Sequence, residues 1–188
     1  MEEFDPELGL RRLTPTNWLE RDQTSLGAGY VSDLAGPVVP DAAGWARKFL
    51  GVELDDEVPA DVRALFAVAR GCMPYGWFFY PLYTLGEEQL FRVLEAATHH
   101  CYSCLDGPRP IPKYVRRIEW LLGVDVIPAG DAFRWNAARK MRNHASHPTR
   151  RSAMPPGLVL KHLEVTAWDI NAIFRRARAS PRWTGPSG

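Results

Sequence analysis

The chain has little cysteine and no long apolar run, and each deficit excludes a class of protein. Three cysteines, an odd number in 188 residues, do not form the framework of a disulfide-rich domain. No apolar run approaches the length that a membrane-spanning helix needs. The first residues, Met1 to Asp5, lack the basic and then apolar order of a signal peptide. We therefore expect a cytoplasmic protein with reduced thiols and no membrane partner.

The sequence also lacks internal repeats and the strict alternation of apolar and polar residues that is typical of half-buried strands. Apolar residues recur instead at intervals of three and four. A predicted helix from about residue 79 to 105 has the apolar line Leu82, Gly86, Leu90, Val93, Ala97, Cys101 and Cys104. The last predicted helix has the line Val159, Leu163, Thr166, Ile170, Ile173 and Ala177. These patterns predict an all-α fold, a helical bundle of four to five main helices with an irregular N-terminal extension.

Turn-forming residues divide the chain into three parts. Residues 1–58 are expected to form an extension with one short helix. This extension either packs onto the body through Trp18, Leu19 and Tyr30 or stays partly mobile. Residues 59–179 form the helical body. Residues 180–188 are rich in Pro and Gly and are expected to form a flexible tail.

The net charge is only +1, but it is unevenly distributed along the chain. Residues 1–108 contain 8 Lys and Arg against 17 Asp and Glu, a net charge of −9. Residues 109–188 contain 15 against 5, a net charge of +10. A basic half can attract phosphate groups, or the two halves can simply attract each other. The sequence leaves both interpretations open.

Cys101 and Cys104, preceded by His99 and His100, have the Cys-x-x-Cys spacing of many zinc ligands. Zinc sites normally place such pairs on turns and add a second pair at a distance. This pair lies on the apolar line of the long predicted helix, where free cysteine behaves as a small hydrophobic residue. We interpret both cysteines as packing residues and predict neither a metal nor a cofactor.

The stretch from Arg142 to Pro148 concentrates groups that can bind a phosphate and move a proton. On a continuous helix Arg142 and His147 lie roughly 140° apart around the axis. Pro148 disfavours the helical conformation for the residue before it, so His147 is expected to leave the helix and be free to approach Arg142. The opposing interpretation is a helix end with Arg142 near the last carbonyls and a solvated His147, and the residues alone leave both open.

The pattern Arg142-Asn143-x-x-x-His147 resembles the signature of the HEPN superfamily, an arginine, a polar residue and a histidine in an all-α bundle. The segment Phe79-Tyr80-Pro81-Leu82, which opens the long helix that carries Glu95, resembles the family's arrangement, and coverage is roughly residues 60–178. The resemblance implies a homodimer whose two motifs converge in one cleft. It also implies a metal-independent ribonuclease of a toxin–antitoxin or phage-defence system, with an antitoxin or another partner protein. The chain departs from members that a nucleotidyltransferase modifies, because they have Tyr where this chain has Thr149.

The resemblance makes Arg142 and His147 the catalytic residues. A neutral imidazole at His147 can take a proton from a ribose 2′-hydroxyl, and Arg142 can stabilise the charge that develops on the phosphate. Asn143 and Ser146 are supporting residues that orient this pair by hydrogen bonds. Glu95 either positions Arg142 or is a surface carboxylate.

The alternative is a non-catalytic HEPN-like module that binds a nucleotide, RNA or a partner protein through the same stretch. A small-molecule enzyme ranks third. The sequence has no Gly-rich phosphate loop, no pair of catalytic carboxylates and no plausible Ser-His-Asp order.

Overall fold

The computed structural model describes residues 4–5, 7, 9–25, 41–137 and 155–185. In these ranges the α-helices are α1 (Ala42–Leu50), α2 (Ala60–Cys72), α3 (Pro81–Cys104), α4 (Tyr114–Gly123), α5 (132–137) and α6 (Pro156–Ala179). The same ranges hold 3-10 helices at Gln23–Ser25, Met73–Trp77 and Ala129–Asp131, and one antiparallel pair of strands, β1 (Phe4–Asp5) and β2 (Leu10–Arg11). The predicted all-α class is confirmed. None of the helices in the described part of the chain combines enough length and apolarity to cross a bilayer.

Helix α3 is the centre of the fold, because α2, α4 and α6 all pack against it. Glu87, in the second turn of α3, binds His162 in the second turn of α6. The carbonyl of Cys104, at the end of α3, accepts a hydrogen bond from the backbone N–H of Thr184, just beyond the end of α6. Because the two helices meet near both of their ends in this order, they run parallel and side by side.

The predicted apolar lines coincide with the core. On α3 the line is buried from Gly86 to Cys104, and on α6 it is buried at all six predicted positions. Gly86 lets α2 and α3 approach closely, because a Cβ atom there would lie 2.6 Å from the Cγ of Met73 and 3.3 Å from the carbonyl oxygen of Ala69. The helical period of the sequence therefore identified the buried faces of the two longest helices.

The N-terminal segment docks through polar groups rather than aromatic ones. Arg11 Nη1 donates a hydrogen bond to the carbonyl of Phe78 at 3.3 Å, and Asp22 Oδ2 accepts one at 2.8 Å from the backbone N–H of Tyr80. Trp18 and Leu19 are 56% and 59% exposed, so these two do not pack onto the body as predicted, and Tyr30 lies outside the described residues. The physical reason is that a helix end offers carbonyls and a helix start offers N–H groups, and both occur between the 3-10 helix Met73–Trp77 and α3, where charged side chains can bind them.

The described part of the tail, residues 180–185, lies against the end of α3. Both the backbone N–H and the hydroxyl of Thr184 donate to the carbonyl of Cys104, at 2.7 and 2.8 Å. Trp183 packs partly against the core beneath the guanidinium of Arg178. Residues 180–185 thus make specific contacts with the body. The flexibility of the whole tail, residues 180–188, stays a prediction, since residues 186–188 lie outside the described residues.

Candidate functional site

The predicted catalytic residues Arg142 and His147, with Asn143 and Ser146, fall outside the described residues. The stretch that contains them connects α5 to α6 along the chain. The described residues nearest to it in sequence are therefore those of α5 and of the first turns of α6. These helices form a cleft with α3, and this cleft is the candidate site that the structure itself describes.

The α3–α5–α6 cleft has a volume of about 180 Å³. Its floor and walls are apolar, and two ion pairs lie within this apolar lining. The described residues that line it are Glu87, Leu90, Phe91, Leu94, Phe133, Arg134, Trp135, Ala137, His162, Val165, Thr166 and Asp169. A mostly apolar concave surface with a few polar groups is typical of a site that binds a small molecule or one side chain of a larger partner.

The two aromatic residues of α5 differ from what their spacing predicts. The helical period of the sequence predicts that Phe133 points to the core and that Trp135 lies on a second face, seven residues before Arg142. In the structure Phe133 is 81% exposed at the cleft, and Trp135 is only 2% exposed. Residues two apart on a helix lie on nearly opposite sides, so only one of the two can face the core. The indole occupies it, which leaves the phenyl ring available to a ligand.

Glu87 and His162 form the first ion pair of the cleft. The Nδ1 of His162 lies 2.8 Å from Glu87 Oε1, which joins α3 to α6. Glu87 is only 8% exposed, and a buried carboxylate requires such a partner, because transfer of an unpaired charge from water is costly. The contact holds the imidazole of His162 in one orientation through Nδ1. A fixed orientation helps the other ring nitrogen, Nε2, to bind a ligand.

Arg134 and Asp169 form the second ion pair. Arg134 Nη2 lies 2.7 Å from Asp169 Oδ1 and 3.1 Å from Asp131 Oδ1, and its guanidinium stands 5.0 Å from the ring centre of Trp168. Burial raises the pKa of Asp169, although the hydrogen bond and charge of Arg134 partly oppose this. The hydrogen bond to Asp169 raises the pKa of Arg134. This arginine is therefore held by two carboxylates, and its charge is largely compensated within the protein.

Glu95 binds a different arginine of the described chain. Its Oε1 lies 3.6 Å from Arg117 Nη2, and its backbone carbonyl accepts from the same nitrogen at 3.4 Å. Arg117 is buried, and burial lowers its pKa while the charge of Glu95 raises it. Glu95 thus compensates a buried cation that links α3 to α4.

The basic and acidic halves of the chain do attract each other. Besides Glu95 with Arg117, the two halves meet where Glu87 binds His162 and where Asp55 lies 3.4 Å from Arg175. Each of these pairs joins an acidic residue of the first 108 residues to a basic residue of the remainder. Part of the positive charge in the second half is therefore already compensated.

Cys101 and Cys104 lie in the core, as predicted, and both are free thiols. Burial raises the pKa of Cys101 well above its usual value and also raises the pKa of Cys104. Protonated thiols are poor ligands and poor nucleophiles. Among the described residues no group of three or more histidines, cysteines and carboxylates is placed to hold a metal ion.

Replacing both Cys101 and Cys104 with Ala is expected to lower the free energy of unfolding by about 1–3 kcal/mol, through lost volume in the core. Urea denaturation measures this loss, and Cys72→Ala, at a half-buried position, is the matched control. Metal analysis of the native and double-mutant proteins is expected to give no bound zinc in either. Stoichiometric zinc that disappears in the double mutant would contradict the packing role.

The sequence pattern did not identify Glu87, His162, Arg134 or Asp169 as residues of a site. One signal was present, because His162 and Asp169 are seven residues apart, which places them on one face of a helix, beside the apolar line of α6. Their partners on α3 and α5 are distant in sequence, and the helical period within α6 does not predict contacts with other helices.

The chain was compared with models of protein families, with curated proteins and with solved structures. None of the three comparisons gives a match.

Proposed function

We propose that the protein is a metal-independent endoribonuclease of HEPN type. The observation that carries this proposal is the pattern Arg142-Asn143-x-x-x-His147 in a chain whose described residues form an all-α bundle. The pattern lies between α5 and α6, two helices that line the same cleft.

The reaction needs no external nucleophile. His147 takes the proton of a ribose 2′-hydroxyl, and the 2′-oxygen forms a bond to the adjacent phosphorus as the bond to the 5′-oxygen breaks. Arg142 stabilises the negative charge on the phosphate oxygens. A second His147, from another copy of the chain, gives a proton to the leaving 5′-oxygen. The products are a 2′,3′-cyclic phosphate and a 5′-hydroxyl.

Asn143 and Ser146 support this chemistry by orienting the arginine and the histidine. Thr149 stands where a modifiable tyrosine is found in some HEPN proteins, so regulation by tyrosine adenylylation does not belong to this proposal. The setting is a toxin–antitoxin or phage-defence system, in which an antitoxin or another partner protein restrains cleavage.

The cleft supports an RNA substrate by its position along the chain. Ala137 lines the cleft, and Arg142 follows it by five residues. This closeness in the sequence supports a single RNA strand as a ligand of both the motif and the cleft.

Purified protein is expected to cleave single-stranded RNA in the presence of a chelator. A substrate with 2′-deoxyribose at the cleavage position is expected to bind and stay intact, because it lacks the attacking hydroxyl. Mass spectrometry of the products identifies the cyclic phosphate. Cleavage of the deoxy substrate, or complete dependence on an added metal, would contradict the proposed reaction.

The proposal also requires a homodimer, since one motif supplies a single proton-transfer group while the reaction uses an acid and a base. Trp135, on the helix that precedes the motif in the sequence, is buried and is therefore not available to a dimer surface. Light scattering is expected to give twice the monomer mass at micromolar concentration. A monomer whose cleavage rate is simply proportional to protein concentration would exclude the dimer.

A non-catalytic binding module is the second candidate, and the α3–α5–α6 cleft is the observation that favours it. The cleft is formed by described residues and contains polar groups already fixed by ion pairs. If no RNA is cleaved under the conditions above while RNA or a nucleotide still binds, this second function replaces the first.

A further inference from the structure

We propose that the α3–α5–α6 cleft is a nucleobase-binding site that selects a base with hydrogen-bond donors on its edge, guanine above all. The proposal takes RNA as the polymer from the proposed function, but binding to the cleft can be measured without any cleavage. Glu87 and His162 read the edge of the base, and Phe133 stacks on its face.

The size of the cleft fits one planar ring system. A volume of about 180 Å³ exceeds the roughly 150 Å³ of an engineered apolar cavity that holds benzene. His162 and Asp169, which belong to the two ion pairs, are seven residues apart on α6, and this spacing corresponds to about 10 Å along a helix. A purine fits between two such groups, whereas a longer chain of linked rings does not.

The aromatic residues supply the stacking surface. Phe133 lines the cleft together with Phe91, and its side chain is 81% exposed. Because exposure of a phenyl ring to water does not stabilise the fold, this ring is free to contact a ligand. Base stacking on an aromatic side chain is a principal source of affinity for single-stranded nucleic acid. Leu90, Leu94 and Val165 add apolar surface to the lining of the cleft.

The charges that the described residues bring to the cleft favour a neutral donor over a phosphate. Among these residues the carboxylates of Glu87 and Asp169 face the single guanidinium of Arg134, so negative charge exceeds positive charge by one when the His162 imidazole is not counted. Arg134 is moreover held by two carboxylates. These charges do not stabilise a bound anion. A neutral base with N–H groups can instead donate hydrogen bonds to the carboxylates.

Guanine matches these acceptors better than uracil does. Its Watson–Crick edge presents a ring N–H and an amino group side by side, and both can donate to the Glu87 carboxylate. Uracil presents one N–H between two carbonyl oxygens, which the carboxylate repels. The contact between Glu87 and His162 holds the acceptor in place before the base arrives, and such preorganisation reduces the cost of binding.

Isothermal titration of the purified protein with guanosine and with uridine tests the proposal, because nucleosides carry no phosphate. Guanosine is expected to bind more tightly than uridine. Glu87→Gln keeps the shape of the side chain and a hydrogen bond to His162, yet it is expected to weaken guanosine binding by about 10-fold to 100-fold, the range for a hydrogen bond to a charged group. Glu88→Gln, at the exposed neighbouring position, is the matched control and is expected to change nothing.

Phe133→Ala provides a second variant, at an exposed position where folding tolerates the change. It is expected to weaken both nucleosides by about fivefold to 150-fold, the range for losing one base–aromatic stack. Trp18→Ala, which removes an exposed aromatic residue from the N-terminal segment, is its control. Circular dichroism confirms that each variant is folded before its affinity is compared.

Equal affinity for guanosine and uridine, or unchanged guanosine binding by Glu87→Gln, overturns the proposal. So does the absence of nucleoside binding to folded protein that cleaves RNA, and in that case the endoribonuclease function stands alone. Guanosine binding that depends on Glu87 and Phe133, in a protein that cleaves no RNA, supports the base site and rejects the endoribonuclease.

Discussion

His147→Ala is expected to lower the rate of RNA cleavage by roughly 10²–10⁴, the range for loss of a general acid–base group. Arg142→Ala is expected to lower it by roughly 10²–10³, because one preorganised donor to a developing oxyanion has about that effect. Initial rates on a fluorescent RNA with a single cleavage position, measured in the presence of a chelator, give both factors. The two variants should still bind the 2′-deoxy substrate, since neither residue is proposed to read the base.

His144→Ala is the matched control for this pair. It removes an imidazole from the same stretch, but His144 is not one of the proposed catalytic residues, so the rate should change much less. All three variants must unfold at the temperature of the native protein and have its oligomeric state. Full activity of His147→Ala would place the chemistry on other residues and end the proposed mechanism.

Tyr83→Ala is expected to cause the largest loss of stability among single substitutions in the described core. The ring is fully buried in α3 and packs against Phe49 of α1 and against Tyr80, with ring centres 6.1 and 5.5 Å apart. Its hydroxyl accepts a hydrogen bond from Trp45 Nε1 at 2.6 Å. We expect a decrease of about 3–5 kcal/mol in the free energy of unfolding, the range for truncating a buried aromatic residue to Ala.

Tyr83→Phe separates the two contributions. It keeps the ring and removes the hydroxyl, which leaves the indole N–H of Trp45 without this acceptor in a buried position, at a cost of about 1–3 kcal/mol. Chemical denaturation followed by tryptophan fluorescence measures both variants under the same conditions. Equal stability of Tyr83→Ala and the native protein would contradict the structural role of this contact.

Long helices were predictable from the sequence, because their apolar residues repeat over many turns. Every predicted position of α6 is buried, since 24 residues contain enough turns for the helical period to fix one face. The described part of α5 is too short for this. Phe133 and Trp135 lie on nearly opposite sides of it, and only the surrounding helices decide which ring is buried.

The cleft was not predictable, because its polar pairs join distant parts of the chain. Glu87 and His162 are 75 residues apart in the sequence. The residues around each of them contain no pattern that predicts their contact. The docking of the N-terminal segment escaped prediction for a related reason. Arg11 binds a backbone carbonyl, and every residue has one, so no pattern of side chains marks the partner.

The parallel arrangement of α3 and α6 has a consequence for the order of folding. Contacts between these helices close loops of 75 and 80 residues, whereas α2 and α3 meet across the short connection from Met73 to Tyr80. Closing a long loop costs more chain entropy before any contact is gained, so local helix pairs tend to form first. The α2–α3 pair is therefore expected to act as an early folding unit, and the cleft comes into existence only when α6 docks in the last stage of folding.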